Sequence, residues 1–469
     1  MSTTDEDSRT GLCARCQHAK IVRSSKGSTF YLCRLSKTDD RFVKYPVLPV
    51  RSCSGFKDAE PDPTSEASRI TSIDTLRGFA LLGILIINIQ WMAMIEGAGM
   101  NPTIYPAFEG LNRWVWAFGH LFADQKFMTI FSMLFGAGIL LMTSRIETRG
   151  ESPTRLHYRR MVFLILFGIA HAYLIWYGDI LFIYALCGML IYPLRRRSTR
   201  SLVMLGLVAL TVGSVLSLLF GWSLQFWSPE DLAEFQSEWA PTAERIAADM
   251  ASYRGGYGDV FLYRAPTAFE FQVFLFFVWG IWRAGGLMLV GMGLFRLGIF
   301  GAERSRAFYA RLALTGLLVG LPAVGYGVYK NIAASWSLEY SPFFGSQYNY
   351  WGSLIVSLGW IGVIMLACKN PRFRHTTRAL AAVGRMALTN YLMQSIICTM
   401  IFYGYGLGLY GSVERFGQIM IVLAVWTLQL VVSTIWLRHF AFGPAEWLWR
   451  SLTYKRRQPL RRVDLDPTG

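Results

Sequence analysis

Ten runs of mostly apolar residues, most of them close to the length of a bilayer-crossing helix, divide this 469-residue chain. They lie at 73–94, 125–143, 161–177, 180–194, 201–222, 268–297, 312–330, 351–368, 386–404 and 417–437. A helix needs about 20 apolar residues to cross the hydrocarbon of a bilayer, with a range of roughly 17–25. Inside lipid every backbone N–H and C=O must find a partner within the protein, and runs of this length meet that demand as helices. The expected fold class is therefore all-α: a polytopic membrane helix bundle of about ten transmembrane helices. Composition agrees, with 53% hydrophobic and only 16% charged residues against roughly 25% charged in a soluble domain. The run at 180–194 is short, and 268–297 is long enough for a kinked or steeply tilted span.

A net charge of +16 could signal nucleic acid, but its distribution argues for topology. With the N-terminus in the cytoplasm, loops on that side carry 37 Lys and Arg and loops on the other side carry seven. Counting acids as well, the two sides differ as +22 and −7. Basic residues favour the cytoplasmic face and its anionic headgroups. The expectation is a multi-pass protein of the bacterial inner (plasma) membrane with both termini cytoplasmic. Its partners are the lipid bilayer and a small-molecule substrate, with no nucleic acid and an oligomer left open. The first 60 residues have no apolar signal core, so the first span is expected to act as an uncleaved targeting signal. A Walker motif is absent, which disfavours an ATP-driven pump. The G-x-x-x-G at Gly316–Gly320 reads as helix packing.

Four of the seven cysteines precede the first span: Cys13, Cys16, Cys33 and Cys53. Cys13 and Cys16 form a C-x-x-C, and four thiolates could close a tetrahedral structural zinc site. A reducing cytoplasm favours metal over disulfides, and a module this small usually needs a staple. His18 could replace one ligand, and four unligated cysteines are the alternative. Strand-like pieces lie at Thr29–Cys33 and Phe42–Val50. The expected organisation is a cysteine-rich cytoplasmic module at 10–57, a linker at 58–72, the transmembrane domain at 73–454 and a basic tail at 455–469.

Ionisable residues within spans are costly and are functional candidates by default. In the first span Asp74 and Arg77 lie one turn apart and can pair. Asn88 projects from the same face about 16 Å further along. His171 sits in a hairpin that continues through Gly178-Asp179, where Asp179 suits a helix cap; the histidine could bind a neighbouring helix or carry a proton near neutral pH. His120 and Asp124 share a helical face beside Lys126. Asn390 and Gln394 form a polar stripe in the ninth span, and Arg283 lies midway along the sixth. Such an interior suits either transport or catalysis.

Several of these residues fall in longer patterns: Ile73-Asp74-Thr75-Leu76-Arg77-Gly78 with Asn88, Lys126-Phe127 leading to Leu134-Phe135-Gly136-Ala137-Gly138, and His171 with Gly178-Asp179-Ile180-Leu181. Two more are Gly384-Arg385-Met386-Ala387-Leu388-Thr389-Asn390-Tyr391-Leu392 and Gly443-Pro444-Ala445-Glu446-Trp447-Leu448-Trp449-Arg450. On these motifs, which cover about 70–460, the chain resembles the YeiB-like family of bacterial inner-membrane proteins. The cysteine module is an addition to that pattern. The family in turn resembles the transmembrane acyltransferase superfamily, whose first span carries a similar D-T-x-R-G followed by an Asn. The resemblance implies transfer of an acyl group from cytoplasmic acyl-CoA to an extracytoplasmic acceptor. It would set Arg77 at the CoA phosphates, where a guanidinium suits bidentate contact. Asp74, Arg283, Asn390, Gln394 and Asp179 are the other candidates for substrate contact. Asn88 and Asp124 would lie near the transfer site, with His171 as general base; the superfamily's usual histidine position corresponds to His120. The alternative is a transporter or channel for a small polar or anionic solute.

Overall fold

The apolar runs become helices in the computed structural model, which describes residues 10–23, 29–57, 70–104 and 108–461. The chain forms two compact units, one N-terminal and one over Ile70–Arg461. The expected linker and much of the basic tail fall outside the described residues.

In the N-terminal unit, β1 (Ala19–Arg23) pairs antiparallel with β2 (Thr29–Cys33). The expected strand at Phe42–Val50 does not form. Pro46 and Pro49 cannot donate to a ladder, and the segment makes only a bridge between Val50 and Gly11. Backbone hydrogen bonds still tie the cysteine-bearing pieces together: Arg34 to His18, Cys33 to Lys44, Leu12 to Val50 and Gln17 to Lys57.

The second unit contains helices α1 (Thr71–Ala93), α2 (Glu96–Met100), α3 (Gly110–Phe122), α4 (Lys126–Glu147), α5 (Thr154–Leu174) and α6 (Leu181–Ile191). It continues with α7 (Thr199–Ser223), α8 (Pro229–Trp239), α9 (Ala243–Tyr253), α10 (Tyr257–Leu275) and α11 (Gly286–Arg296). The last set is α12 (Arg306–Thr315), α13 (Leu321–Ala333), α14 (Ser346–Cys368), α15 (Arg374–Arg385), α16 (Ala387–Phe402), α17 (Arg415–His439) and α18 (Pro444–Tyr454). Wider π-helical turns join α10 to α11 and α12 to α13.

Seven described helical segments are long and apolar enough to cross a membrane: 71–93, 110–147, 199–226, 257–296, 306–333, 341–368 and 415–439. The other three expected spans are also helical, as α5, α6 and α16. At 1.5 Å per residue, α6 extends only about 17 Å and α16 about 24 Å, less than the roughly 30 Å hydrocarbon core. The turn between α5 and α6 is covered by other elements, with Trp176, Tyr177 and Asp179 buried.

Close helix crossings fix the frame. A Cβ on Gly78 of α1 would lie 1.9 Å from the Leu380 carbonyl oxygen, and one on Gly384 of α15 would lie 1.9 Å from that of Asp74. The α4–α11 crossing is built alike, with Gly136 on Met288 and Gly291 on Met133, each 2.0 Å from an added Cβ to a carbonyl oxygen. Gly316 faces Gly359 of α14 at 2.7 Å from such a Cβ, the packing role expected from its spacing.

Candidate functional site

His171 occupies the last turn of α5 and is buried, with 1% exposure. Its Nδ1 lies 2.9 Å from Oδ2 of Asp179, and its Nε2 lies 2.9 Å from Oγ of Ser395 on α16. Asp179 also works as a cap, because its Oδ1 accepts the Phe182 N–H at 2.8 Å in the first turn of α6. Asp179 stands one residue before the N-cap, which is Ile180, and from there one carboxylate oxygen accepts a first-turn N–H while the other faces the histidine. The Tyr391 ring packs 5.0 Å from the imidazole, and its hydroxyl reaches the Gly178–Ile180 turn. A hydroxyl, an imidazole and a carboxylate in line match the arrangement of nucleophile, base and orienting acid.

The turn beneath this chain is pinned by Arg264 of α10. Its guanidinium donates to the carbonyls of Ile175 and Tyr173, placing a cation at the C-terminal end of α5, where the helix dipole favours one. The Tyr257 hydroxyl adds a bond to Leu174 O at 2.9 Å.

At the end of the bundle where α1 and α5 begin, basic side chains gather. Asp74 and Arg77 pair at 2.7 Å, as their spacing predicts. Arg77 and Arg450 both stand within electrostatic reach of Arg160. Arg160 lies 4.3 Å over the Trp449 ring, whose Nε1 donates to Arg160 O. Arg160 thus stands within electrostatic reach of guanidiniums from two other helices, and this end of the bundle is basic.

The two long motifs interlock beside it. Glu446 of α18 accepts the N–H groups of Leu388 and Thr389, at 2.6 and 3.0 Å, and the Thr389 hydroxyl at 2.6 Å. The Thr389 Oγ1 in turn accepts the Ala445 N–H at 3.0 Å. Each helix supplies a side chain to the other's N-terminus, where backbone donors lack intrahelical partners.

Other candidates have different surroundings. Asn390 donates to Val383 O and Ser433 Oγ, and Gln394 donates to Gln429 Oε1 at 2.9 Å. Both join α16 to neighbouring elements rather than lining the His171 chain. Asn88 lies on α1, outside the hydrogen-bonded chain at His171. His120, Asp124 and Lys126 surround the break between α3 and α4, where Gln125 has a φ of 62°. His120 Nδ1 lies 3.1 Å from Asp124 Oδ2, whose other partner is Asn349 at 2.7 Å. The Lys126 ammonium is fully buried and donates to Asn349 Oδ1 and His120 O. Arg283 binds Tyr350 O at 2.9 Å and Ser353 Oγ at 2.7 Å, with its guanidinium 4.1 Å over the Tyr350 ring.

All four N-terminal cysteines are half-buried free thiols. Burial, then the neighbouring Cys16, Cys33 and Cys53, push the Cys13 thiol up. Among the described residues, no three His, Cys, Asp or Glu side chains are arranged to hold a metal ion.

A helical membrane protein with a buried Ser–His–Asp chain is the class these features define. The family model described as protein of unknown function (DUF418) matches residues 294–456. The uncharacterized protein YeiB of Escherichia coli K12 is 32% identical over 83% of this chain and 98% of its own length. The uncharacterized protein YxaH of Bacillus subtilis 168 is 31% identical over 85% of this chain and 98% of its own. The chain belongs to this YeiB-like family. Its relatives match over nearly their whole length, while about a sixth of this chain lies outside the match.

Proposed function

We propose that the protein is a membrane acyltransferase that carries an acyl group from acyl-CoA to an acceptor at the opposite side of the membrane. The observation that carries this reading is the Ser395–His171–Asp179 chain, held at 2.9 Å in both links within the bundle. Ser395 would attack the thioester carbonyl while its hydroxyl proton passes to His171 Nε2. The C–S bond breaks, and the departing CoA thiolate takes that proton to leave as the thiol. The acceptor then attacks the Ser395 ester, gives its proton to His171, and the proton returns to the Ser395 oxygen as the acyl group leaves. Asp179 holds the imidazole in the tautomer this requires and stabilises the imidazolium.

The basic end suits the CoA phosphates. Arg160 is repelled by both Arg77 and Arg450, and phosphate offers the bidentate acceptors that guanidinium binds best. Eleven residues separate Gly384, beside Gly78, from Ser395. The helix break at Met386 lies between them. In this reading the basic end faces the cytoplasm of a bacterial inner membrane, following the charge asymmetry.

The test uses the full chain in liposomes with acetyl-CoA labelled in the acetyl group. Expected are release of CoA thiol and label on the peptide containing Ser395. The absence of both thiol release and label would overturn the reading.

A transport reading draws on a different observation, the interrupted α3–α4 segment with its buried Lys126 and Asn349 and half-buried Asp124. Broken helices with buried charges are common at transporter binding sites. Solute flux in liposomes free of acyl-CoA, lost in Lys126→Ala, would favour it.

For the N-terminal unit we propose structural zinc on Cys13, Cys16, Cys33 and Cys53. Support comes from the soft donor set and from the backbone ties between the segments that bear them. Metal analysis of the purified full chain should find one zinc, lost in Cys13→Ser with Cys16→Ser; a metal-free chain overturns this.

A further inference from the structure

A basic surface lies where α12 begins and α14 gives way to α15. The two segments that build it, 302–311 and 369–378, carry seven Lys and Arg against one acid, Glu303. Hydrogen bonds sew these segments together. Arg306 Nη2 donates to Lys369 O at 3.0 Å, and Lys369 Nζ donates to Ala302 O at 2.8 Å. Beside them α12 and α14 meet closely, since a Cβ on Gly362 would lie 2.5 Å from the Tyr309 carbonyl oxygen. The cations therefore share one fixed frame.

Local structure does not account for this charge. Arg306 stands in the first turn of α12 and Arg374 in that of α15, and neither turn holds an acid. The helix dipole favours an anion at that end, so both arginines work against it. Arg374 and Arg378 are one turn apart on α15, a spacing at which like charges repel. Arg311, Arg372, Arg374 and Arg378 are all exposed. Among the described residues, none of these four enters an ion pair. A surface charged in this way is unfavourable by itself, and an anion from outside the chain offsets the repulsion.

The apolar neighbours narrow the choice of anion. Along the same helical segment, Arg311 is followed by Leu314, Leu317 and Leu318, which are 52%, 55% and 67% exposed. That segment, 306–333, is apolar enough to cross a membrane. Phe373 is exposed between Arg372 and Arg374. Guanidinium binds phosphate oxygens in pairs, and the leucines beside it suit acyl chains. A soluble polyanion would use the arginines and leave the leucines bare, whereas a phospholipid uses both. We propose that this surface is a binding site for an anionic phospholipid, with its phosphate on the arginines of α12 and α15 and its chains along α12. Basic clusters beside membrane helices hold such headgroups in this way. The site involves none of Arg77, Arg160 and Arg450 and needs nothing from the acyltransferase reading.

The experiment is native mass spectrometry of the full chain, titrated in detergent with phosphatidylglycerol and, separately, with phosphatidylcholine of the same chain length. Expected is retention of phosphatidylglycerol with an affinity at least tenfold above that for phosphatidylcholine. Each arginine near an anionic headgroup is worth about fivefold in affinity. Arg372→Gln, Arg374→Gln and Arg378→Gln together should therefore weaken retention about a hundredfold. The comparator removes the same charge from exposed positions elsewhere, with Arg155→Gln, Arg197→Gln and Arg200→Gln, and should retain the lipid as wild type does. Arg311→Gln alone gives an independent reading of about fivefold should the triple variant fail to fold. Added inorganic phosphate should not displace the lipid. Equal retention of the two lipids by the wild type overturns the assignment, as does unchanged retention in the α15 triple variant or in Arg311→Gln. An equal loss in the comparator would assign the effect to overall charge, and displacement by inorganic phosphate would assign the surface to a soluble anion; either result overturns the lipid site.

Discussion

Ser395 Oγ stands 2.9 Å from His171 Nε2, across 224 residues of sequence. Both side chains are buried, at 1% exposure each, so neither bond competes with bulk water. A hydroxyl in this position has its proton acceptor already aligned. Asp179 completes the line, and its second oxygen anchors it to the first turn of α6.

If this pair does chemistry, its members fail together. Ser395→Ala and His171→Ala should each remove acyl transfer, and the double variant should be no worse than either, because residues of one catalytic unit are not additive. Asp179→Asn keeps the shape but presents the wrong hydrogen-bonding pattern to Nδ1, for a loss of about 10⁴ in rate. Turnover of labelled acetyl-CoA measures all four. A transfer rate in Ser395→Ala close to wild type would remove the serine from the mechanism.

Much of this is legible in the sequence, for identifiable reasons. Apolar runs report lipid exposure directly, so the helices fall where the runs place them. Asp74 with Arg77 and His120 with Asp124 are three and four residues apart, and helix geometry alone brings them together. His171 and Asp179 stand out because charge in an apolar run is conspicuous. Ser395 does not, since a serine in a span is common and its partner is remote in sequence. Its only local signal is the position four residues after Tyr391, which also packs on His171. The short 180–194 run points to α6 ending inside the bundle, but only the folded chain reveals what covers that turn. The stripe of Asn390 and Gln394 is visible, yet its role is to join helices.

Gly78 and Gly384 allow α1 and α15 to meet backbone to backbone. Alanine at either position would place a methyl 1.9 Å from a carbonyl oxygen, and the obstacle is main chain, which cannot rotate away. Either substitution should cost about 3 kcal/mol or more and disturb the neighbouring Asp74–Arg77 pair. Thermal unfolding of the purified variants in detergent measures this. A melting temperature within a degree of wild type for both would contradict the close approach.

Glu446 binds two backbone N–H groups and the Thr389 hydroxyl at the start of α16. Glu446→Ala removes all three contacts and leaves buried donors unpaired, so a loss of about 3 kcal/mol is expected. Glu446→Gln keeps the acceptor carbonyl but loses the charge, and should cost about half as much. Comparing the two by thermal unfolding separates capping from mere volume. Equal melting temperatures for the Gln and Ala variants would count against the cap.

Glu96 provides a pH signature of its own buried carboxyl. Burial, followed by the nearby Asp249 and Glu238 carboxylates, pushes its carboxyl above the usual range, while Tyr177 and Arg245 pull the other way. A carboxyl raised in the folded state binds its proton more tightly there than in the unfolded chain. Its contribution to stability is therefore fully present below the unfolded value of about 4.3 and is lost as pH climbs through the folded value. Glu96→Gln mimics the protonated form at every pH. Its melting temperature should match wild type at about pH 4 and exceed it at about pH 8, the reverse of a salt-bridged carboxylate. Melting curves across that range test the sign, and a Glu96→Gln variant less stable than wild type at the alkaline end would show that the ionised carboxylate is the form the fold prefers.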